Sequence, residues 1–362
     1  MSTSSFSRRH FLTASSALVA GALAAPGLIR AQTAVTVRLA FAEVGVGNKQ
    51  FAAPGVAPLG HARGFVDAEF KDDPSVKIEW SFHKGAGPSV NEALANNQAD
   101  FAFHGDLPSL VGRSNGLNTK ILLGSDVRSN IYIAARPDSG ITTPADLKGR
   151  NVGLFRGTNL HLAAAKILAA YDLTERDVKI INLDFASANA AIVSGDIDAT
   201  FGQADLYDLE AKGIANVIFS SKEDSRFTRH AIIHAQEAFI GEDPEITQRI
   251  VNGFVKAAHW GSDEARREDV IDTYALTGRP REGFVNDHDG QELRFRLSPL
   301  LDPFLVEGFA GQEKRARELE LIRNERPTAD WFEPRFLEAA LKEQGLAGFW
   351  QPYGLDGQPL TA

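Results

Sequence analysis

The sequence has 362 residues, of which 43% are hydrophobic and 23% charged, the composition of a globular chain with room for two domains of ordinary size. Its 38 basic and 47 acidic side chains give a formal net charge of −9, which argues against a nucleic-acid surface, since phosphates call for a basic stripe. It contains no cysteine, so disulfides, thiolate metal sites and cysteine nucleophiles are excluded by inventory, and beyond the N-terminus no apolar run approaches the ~20 residues of a spanning helix.

The N-terminus reads Ser7-Arg8-Arg9-His10-Phe11-Leu12, then a short apolar stretch from Thr13 to Ala25, then Pro26-Gly27-Leu28-Ile29-Arg30-Ala31. A basic start, a short apolar centre and a small residue ahead of a cut are the marks of an export signal, and paired arginines before Phe-Leu specify the twin-arginine route. Residues 1–31 are expected to be removed near Ala31, the alternative being an N-terminal membrane anchor. They hold three arginines and no acid, so the exported chain keeps 35 basic against 47 acidic groups, a net charge of −12. The expected destination is the periplasm, as a soluble protein without a lipid anchor, where core burial alone must supply stability.

From Val35 short apolar strands alternate with amphipathic helices. Val35, Val37, Leu39 and Phe41 fall on one face at period two, which predicts a strand. Leu59, Ala62, Val66 and Phe70 recur every three or four residues behind Pro58, which predicts one helix. Val76, Ile78, Trp80 and Phe82 alternate as a second strand. Ser89-Val90-Asn91-Glu92 has the form of a capping box, so a helix is expected to begin just after Gly85-Ala86-Gly87-Pro88. Asp100-Phe101-Ala102-Phe103 is the third strand. Strand, helix, strand, helix is the rhythm of βαβ units and a mostly parallel sheet.

The rhythm restarts after Ile131-Tyr132-Ile133-Ala134. Thr143-Pro144-Ala145-Asp146 reads as N-cap, N1 proline and acidic first turn, with Gly149 closing that short helix. Val152 to Phe155 predicts a strand, and Leu160, Ala164, Ile167, Leu168 and Tyr171 a helix. Val178 to Leu183 is a strand, Ala188 to Ser194 a short helix ending at Gly195, and Ala199-Thr200-Phe201, Val217-Ile218-Phe219 and Ala231-Ile232-Ile233 complete the half. From Pro244 the pattern turns helical, with Ile246, Ile250, Phe254 and Ala257 or Ala258 on one face. The economical packing returns this segment to the first unit, giving two crossings, near Arg128 to Ala134 and near His230 to Gln236, and hence a hinge. The expected organisation is a first lobe of residues 32–128 plus 235–330, a second of 129–234, and a C-terminal helix and tail over 331–362.

In open α/β sheets ligands lie beyond the carboxyl ends of the strands, where helix N-termini offer unpaired N–H groups. The loops at those ends are Glu43 to Asn48, Lys84 to Ser89, His104-Gly105-Asp106, Arg156-Gly157-Thr158-Asn159 and Gly202-Gln203-Ala204-Asp205. Each has a plainer reading: Gly85 and Gly87 serve a tight turn, Ser89 caps a helix, Arg156 is a solvated cation, His104 and His161 pack, and Asp205 starts a helix. Gly45-x-Gly47 lacks the third glycine of a dinucleotide fingerprint. With Arg128 at the first crossing added, the candidate ligand-binding set is Glu43, Gly45, Gly85, Gly87, Ser89, His104, Gly105, Asp106, Arg128, Arg156, Gly157, Thr158, Asn159, Gln203 and Asp205. No nucleophile, base and orienter stand together, and no His-x-His or His-Glu-x-x-His spacing suggests a metal, so neither catalysis nor a cofactor is expected.

Several of these stretches resemble the periplasmic solute-binding proteins of ABC importers, in the branch that includes sulfonate, nitrate and taurine binders. They are Gly85-Ala86-Gly87-Pro88 with Glu92-Ala93-Leu94, Ala99-Asp100-Phe101-Ala102 with Gly105 and Pro108, and Asp146 to Val152. Gly157-Thr158-Asn159-Leu160-His161, Val193 to Ala199, and Asp330-Trp331-Phe332 with Arg335-Phe336-Leu337 continue the series. The resemblance implies a two-lobed type II binding-protein fold, α/β in each lobe, that closes on a small anionic or zwitterionic organic solute, sulfonate-like by preference. It implies a monomer that hands its solute to a membrane permease with an ATPase subunit. Glu43 stands where that pattern often has a polar amide, and an aminosulfonate or amino acid-like zwitterion would reconcile Glu43 with Arg156. The rival readings are an enzyme on the same fold, akin to pyrimidine synthases and porphobilinogen deaminases that depend on cysteine, and a ligand-sensing subunit for a signalling receptor.

Overall fold

The computed structural model describes residues 34–361, and the expected export signal over residues 1–31 lies outside them. The period-two runs become β1 (Val35–Phe41) and β2 (Val76–Phe82), paired in parallel from Val35 with Val76 to Phe41 with Phe82. The further strands are β3 (Phe101–Gly105), β4 (Thr119–Ser129), β5 (Tyr132–Ala135), β6 (Asn151–Leu154), β7 (Lys179–Asn182), β8 (Ala199–Gly202), β9 (Asn216–Ser220) and β10 (Arg229–Gln236). Helices α1 (Val56–Ala62), α2 (Phe65–Ala68), α3 (Ala86–Ala95) and α4 (Asp106–Ser114) flank the first strands, and α5 (Asn159–Ala170), α6 (Phe185–Ser194) and α7 (Leu206–Ala211) the second set. The chain ends in α8 (Glu237–Glu242), α9 (Pro244–Gly261), α10 (Arg267–Ala275), α11 (Arg281–His288), α12 (Leu293–Arg296), α13 (Pro303–Glu318) and α14 (Arg335–Glu343). No helix among the described residues is long and apolar enough to cross a membrane.

The strands form two five-stranded sheets in the orders β2-β1-β3-β10-β4 and β7-β6-β8-β5-β9. In each sheet four strands point one way and one, β10 or β5, runs antiparallel to both neighbours. The opposed strand is in each case the one that has just arrived from the other sheet, β5 following β4 and β10 following β9. The carboxyl ends of the parallel strands and the amino ends of β5 and β10 therefore meet at the gap between the sheets. This is an α/β fold of two lobes, each a mixed sheet flanked by helices.

The helical segment returns to the first sheet, as its apolar face requires: Ile250, Val251, Phe254 and Val255 of α9 join Val37, Leu39, Val56, Leu59 and Phe103 in one buried cluster. Phe336, Leu337 and Ala340 of α14 enter the same cluster. The second sheet has its own core around Ile133, Val152, Leu160, Ile167 and Phe201. A smaller apolar seam joins the halves, with Leu162 of α5 buried among Leu107, Leu110, Leu305, Phe309 and Trp331.

Three local expectations are corrected and one further strand is added. The single helix over Leu59 to Phe70 is two, because Gly64 adopts a left-handed conformation (φ 68°) between α1 and α2. The helix expected after Pro88 starts at Ala86, since proline is tolerated in a first turn; Ser89 is thus inside α3, and its Oγ lies 3.3 Å from His83 Nδ1 instead of capping. Strand β4 carries no alternation because nearly all of it is buried, its outer edge covered by the bridge between Ile121 and Phe332. The return crossing expected near His230 to Gln236 falls earlier, over residues 221–228, because β10 belongs wholly to the first sheet.

Candidate functional site

The gap between the sheets holds a cavity of about 750 Å³, walled by both lobes. From the first come Glu43 to Asn48, Lys84, Ala86, Gly87, His104, Gly105, Ser125, Asp126, Ser129 and Arg229; from the second, Phe155, Thr158, Asn159, Asp184 to Ser187, Gln203, Asp205 and Asp208. Another cavity of about 820 Å³, beside Trp260 and Phe349, takes no residue from the second lobe and so offers nothing for closure to act on. The first turns of α3, α4, α5 and α6 all open on the interlobe cavity. The N-caps of α4 and α5, Gly105 and Thr158, make no side-chain cap, which leaves first-turn N–H groups for other acceptors.

Arg229, the first residue of β10, is 6% exposed and reaches this wall. Its guanidinium donates to Ser129 Oγ at 2.8 Å, to the Asn130 carbonyl and, at 3.3 Å, to Asn159 Oδ1 across the gap. Among the described residues no carboxylate lies within ion-pair distance of it, so its hydrogen bonds go to neutral oxygens, while Asp126, Asp287 and Glu43 act on its charge from farther away. Burial lowers its pKa, which an incoming anion would offset.

Arg279, in the turn between α10 and α11, meets three acceptors: Glu43 Oε1 at 2.6 Å, the Ala53 carbonyl at 2.5 Å and Gln203 Oε1 at 2.5 Å. Burial pushes the Glu43 carboxyl up against the opposing pull of Arg279. Three further wall carboxylates are engaged, Asp184 accepting from Ser187 N–H, Asp205 from Asn189 Nδ2, and Asp126 lying 3.8 Å from Arg296, while Asp208 is half-buried on the second lobe's side. Two phenyl groups from each lobe, Phe41 and Phe103 with Phe155 and Phe185, supply apolar wall.

Of the fifteen sequence candidates, Glu43, Gly45, Gly87, His104, Gly105, Thr158, Asn159, Gln203 and Asp205 stand on the cavity wall. His104 presents little polarity there: Nδ1 meets Ser109 Oγ at 2.9 Å, Nε2 faces His234, and burial pushes its pKa down to about 4. Gly105 is where the lobes touch, and a Cβ built on it would lie 2.4 Å from Asn159 Cβ.

The other six are placed elsewhere. Arg128 is buried beside Asp302 at 2.9 Å, among the rings of Phe295, Phe304 and Tyr353, where it braces the first lobe. Arg156 turns outward to Glu175, 2.8 Å away, which also holds His161, so it meets neither the cavity nor Glu43. Asp106 is buried behind the wall, its carboxyl taking the Leu107 N–H and pushed up by burial to about 6. Gly85 and Gly157, in the flanking turns, and Ser89, inside α3, lie off the wall. Arg229 and Arg279 were not among the candidates. The signal for Arg229 is the antiparallel direction of β10, which brings its first residue to the gap; Arg279 sits in a helical connection with no local signal.

A family model described as NMT1/THI5 like matches residues 77–267. A Bacillus subtilis protein named for binding aliphatic sulfonates is 25% identical over 234 residues, 64% of this chain and 69% of that one. Among solved structures, the periplasmic sulfonate-binding protein SsuA of a Methylobacillus flagellatus ABC transporter superimposes with a TM-score of 0.77 at 29% identity, covering 89% of this chain and 98% of that one. The desulfurization enzyme DSZB shares the fold at 20% identity, with a TM-score of 0.66 over 86% of this chain and 99% of its own.

Proposed function

Because the chain belongs to the NMT1/THI5-like family, with sulfonate-binding relatives on either side of it, we propose that it is the solute-binding component of an ABC importer and that its solute is an organic sulfonate. The observation that carries this reading is Arg229, a buried guanidinium on the wall of an interlobe cavity with no carboxylate within ion-pair distance among the described residues. A sulfonate offers three oxygens to that guanidinium and to the first-turn N–H groups of α5, while its organic body meets the phenyl rings.

Binding works by population shift. A ligand that touches Arg229 and the α5 terminus together does so only when the lobes are closed, so its affinity difference biases the open and closed forms. Moving a 1:99 balance to 99:1 takes about 5.5 kcal/mol, within reach of several charge-assisted bonds in a dehydrated cleft. In the cell, residues 1–31 direct export by the twin-arginine route to the periplasm, and the closed form is what the membrane permease and its ATPase partner receive.

Calorimetric titration with methane-, ethane- and hexanesulfonate, nitrate, sulfate and an amino acid panel tests the reading. Sulfonates should bind and be recovered unaltered, and Arg229→Met should weaken them roughly 100-fold or more. Absence of sulfonate binding, or conversion of the bound sulfonate to sulfite, would end it. For export, replacing Arg8 and Arg9 by lysine should leave the protein in the cytoplasm.

A further inference from the structure

The Arg279 guanidinium gathers a carboxylate oxygen of Glu43, the Ala53 carbonyl and the Gln203 amide oxygen, all at 2.5 to 2.6 Å. Two belong to the first lobe and one to the second, and the side chain is only 17% exposed. Three oxygens converging on one cation from both walls is what an alkylammonium, with its three N–H donors, also requires. The chain fills this place with a residue of its own.

The remaining charges on the wall give the complementary picture. Among the described residues Arg229 has no carboxylate within ion-pair distance, Asp184 and Asp205 are engaged by Ser187 N–H and Asn189, and Asp208 stands half-buried on the wall of the second lobe. Arg229 is the buried cation of this wall, Lys84 and Lys212 reaching it only from exposed positions, and the phenyl rings of Phe41, Phe103, Phe155 and Phe185 line the same cavity.

We propose that Arg279 sets the class of solute: it is a resident substitute for the amino group of an aminosulfonate, so the cleft takes monoanionic sulfonates with an uncharged body and rejects their amino counterparts. The proposal rests on the sulfonate reading above and adds the amine discrimination. Glu43 then needs no ligand amine to balance it. Its charge is spent on Arg279, and an ammonium entering the closed cleft would meet a guanidinium where it needs an acceptor.

Removing Arg279 also removes an interlobe contact, so absolute affinities fall for every ligand. The informative quantity is the ratio of dissociation constants for ethanesulfonate and taurine, which differ by the terminal amine. The wild-type protein should prefer ethanesulfonate by about tenfold or more. Arg279→Met, with Glu43, Ala53 and Gln203 now open, should shift the ratio toward taurine by about tenfold or more, and Arg279→Met with Glu43→Gln should lose that shift. A second, independent variant is Glu43→Gln alone, which leaves the Arg279 charge unspent and should favour the dianion sulfoacetate over ethanesulfonate by about fivefold or more relative to wild type.

Equal wild-type affinity for taurine and ethanesulfonate overturns the proposal while leaving the sulfonate reading intact. So does an unchanged ratio in a folded Arg279→Met protein, or, should that variant not fold, an unchanged sulfoacetate preference in Glu43→Gln. Failure of the wild type to bind any sulfonate overturns both.

Discussion

Two arginines show what a side chain's direction contributes beyond its place in the chain. Arg156 follows a parallel strand and opens a helix, the right address for an anion site, yet its guanidinium lies outward on Glu175. Arg229 begins a strand, which is the wrong address in a parallel sheet and the right one in the opposed strand. Arg156→Ala is therefore expected to leave solute affinity within about twofold of wild type, as an exposed pair contributes little. Calorimetry on this variant beside Arg229→Met separates the two. Asp287 is a third residue with leverage: its carboxylate accepts from Tyr132 Oη at 2.6 Å and from Arg296 at 2.9 Å, both partners being buried. Asp287→Ala leaves the buried Arg296 guanidinium with neutral oxygens, the main-chain carbonyl at 287 and Gln291 Oε1, and with Asp126 3.8 Å away as its nearest carboxylate, and should lower unfolding free energy by about 3–5 kcal/mol in a denaturant titration.

At the scale of elements, the start of α4 packs tightly against the start of α5 in the opposite lobe. Gly105 has φ −78°, so alanine suits its backbone, but the added Cβ would sit 2.4 Å from Asn159 Cβ in the opposite lobe. Gly105→Ala should thus fold and melt close to wild type yet resist closure, weakening solute binding by roughly tenfold. A matching loss of melting temperature would place the effect in folding instead. Helix limits were legible from sequence where a proline marks a start, as at Pro144, or a left-handed glycine an end, as at Gly195. The start of α3 was not, because Pro88 suited a first turn already under way. Strand β4 had no pattern to read, since burial on both faces removes the alternation that betrays a half-buried strand.

Across the whole molecule, the seam around Leu162 and the adjoining Gly105–Asn159 contact tie the halves along α4 and α5, while Arg279 bridges the cavity from Glu43 and Ala53 to Gln203. Opening should therefore proceed from the cavity side. The buried histidines give the fold a pH dependence. Burial pushes His104 and His288 down to about 4 and His230 to about 3, so the native state holds them neutral while the unfolded chain protonates near 6.5. Their contribution is complete above pH 6.5 and is lost as pH falls toward 4, on the order of 3 kcal/mol for each. Asp106, pushed up to about 6, has the opposite sign between its unfolded value of 3.8 and 6, as do the buried Glu43 and Asp126 carboxyls, while His234, lowered well below its ordinary value, adds to the histidine side. The unfolding midpoint should drop as pH is lowered from 7 to 4, and Asp106→Asn should steepen that drop. A flat profile would show that these histidines are solvated in solution.

Sequence alone determined the elements whose physics is local or periodic. Apolar alternation set β1 and β2, helical spacing set α5 and α9, and the rhythm of strand and helix set a two-lobed α/β chain with binding loops at its strand ends. Nine of the candidate side chains and glycines stand on the cavity wall because topology delivers those loops to one gap whatever their chemistry. Tertiary structure alone decided which charges face that gap. A guanidinium several ångströms long swings to whichever partner the assembled lobes bring near. Arg128 and Arg156 were claimed by Asp302 and Glu175, while Arg229 and Arg279, a strand start and a helical turn about 50 residues apart, were brought to the same wall.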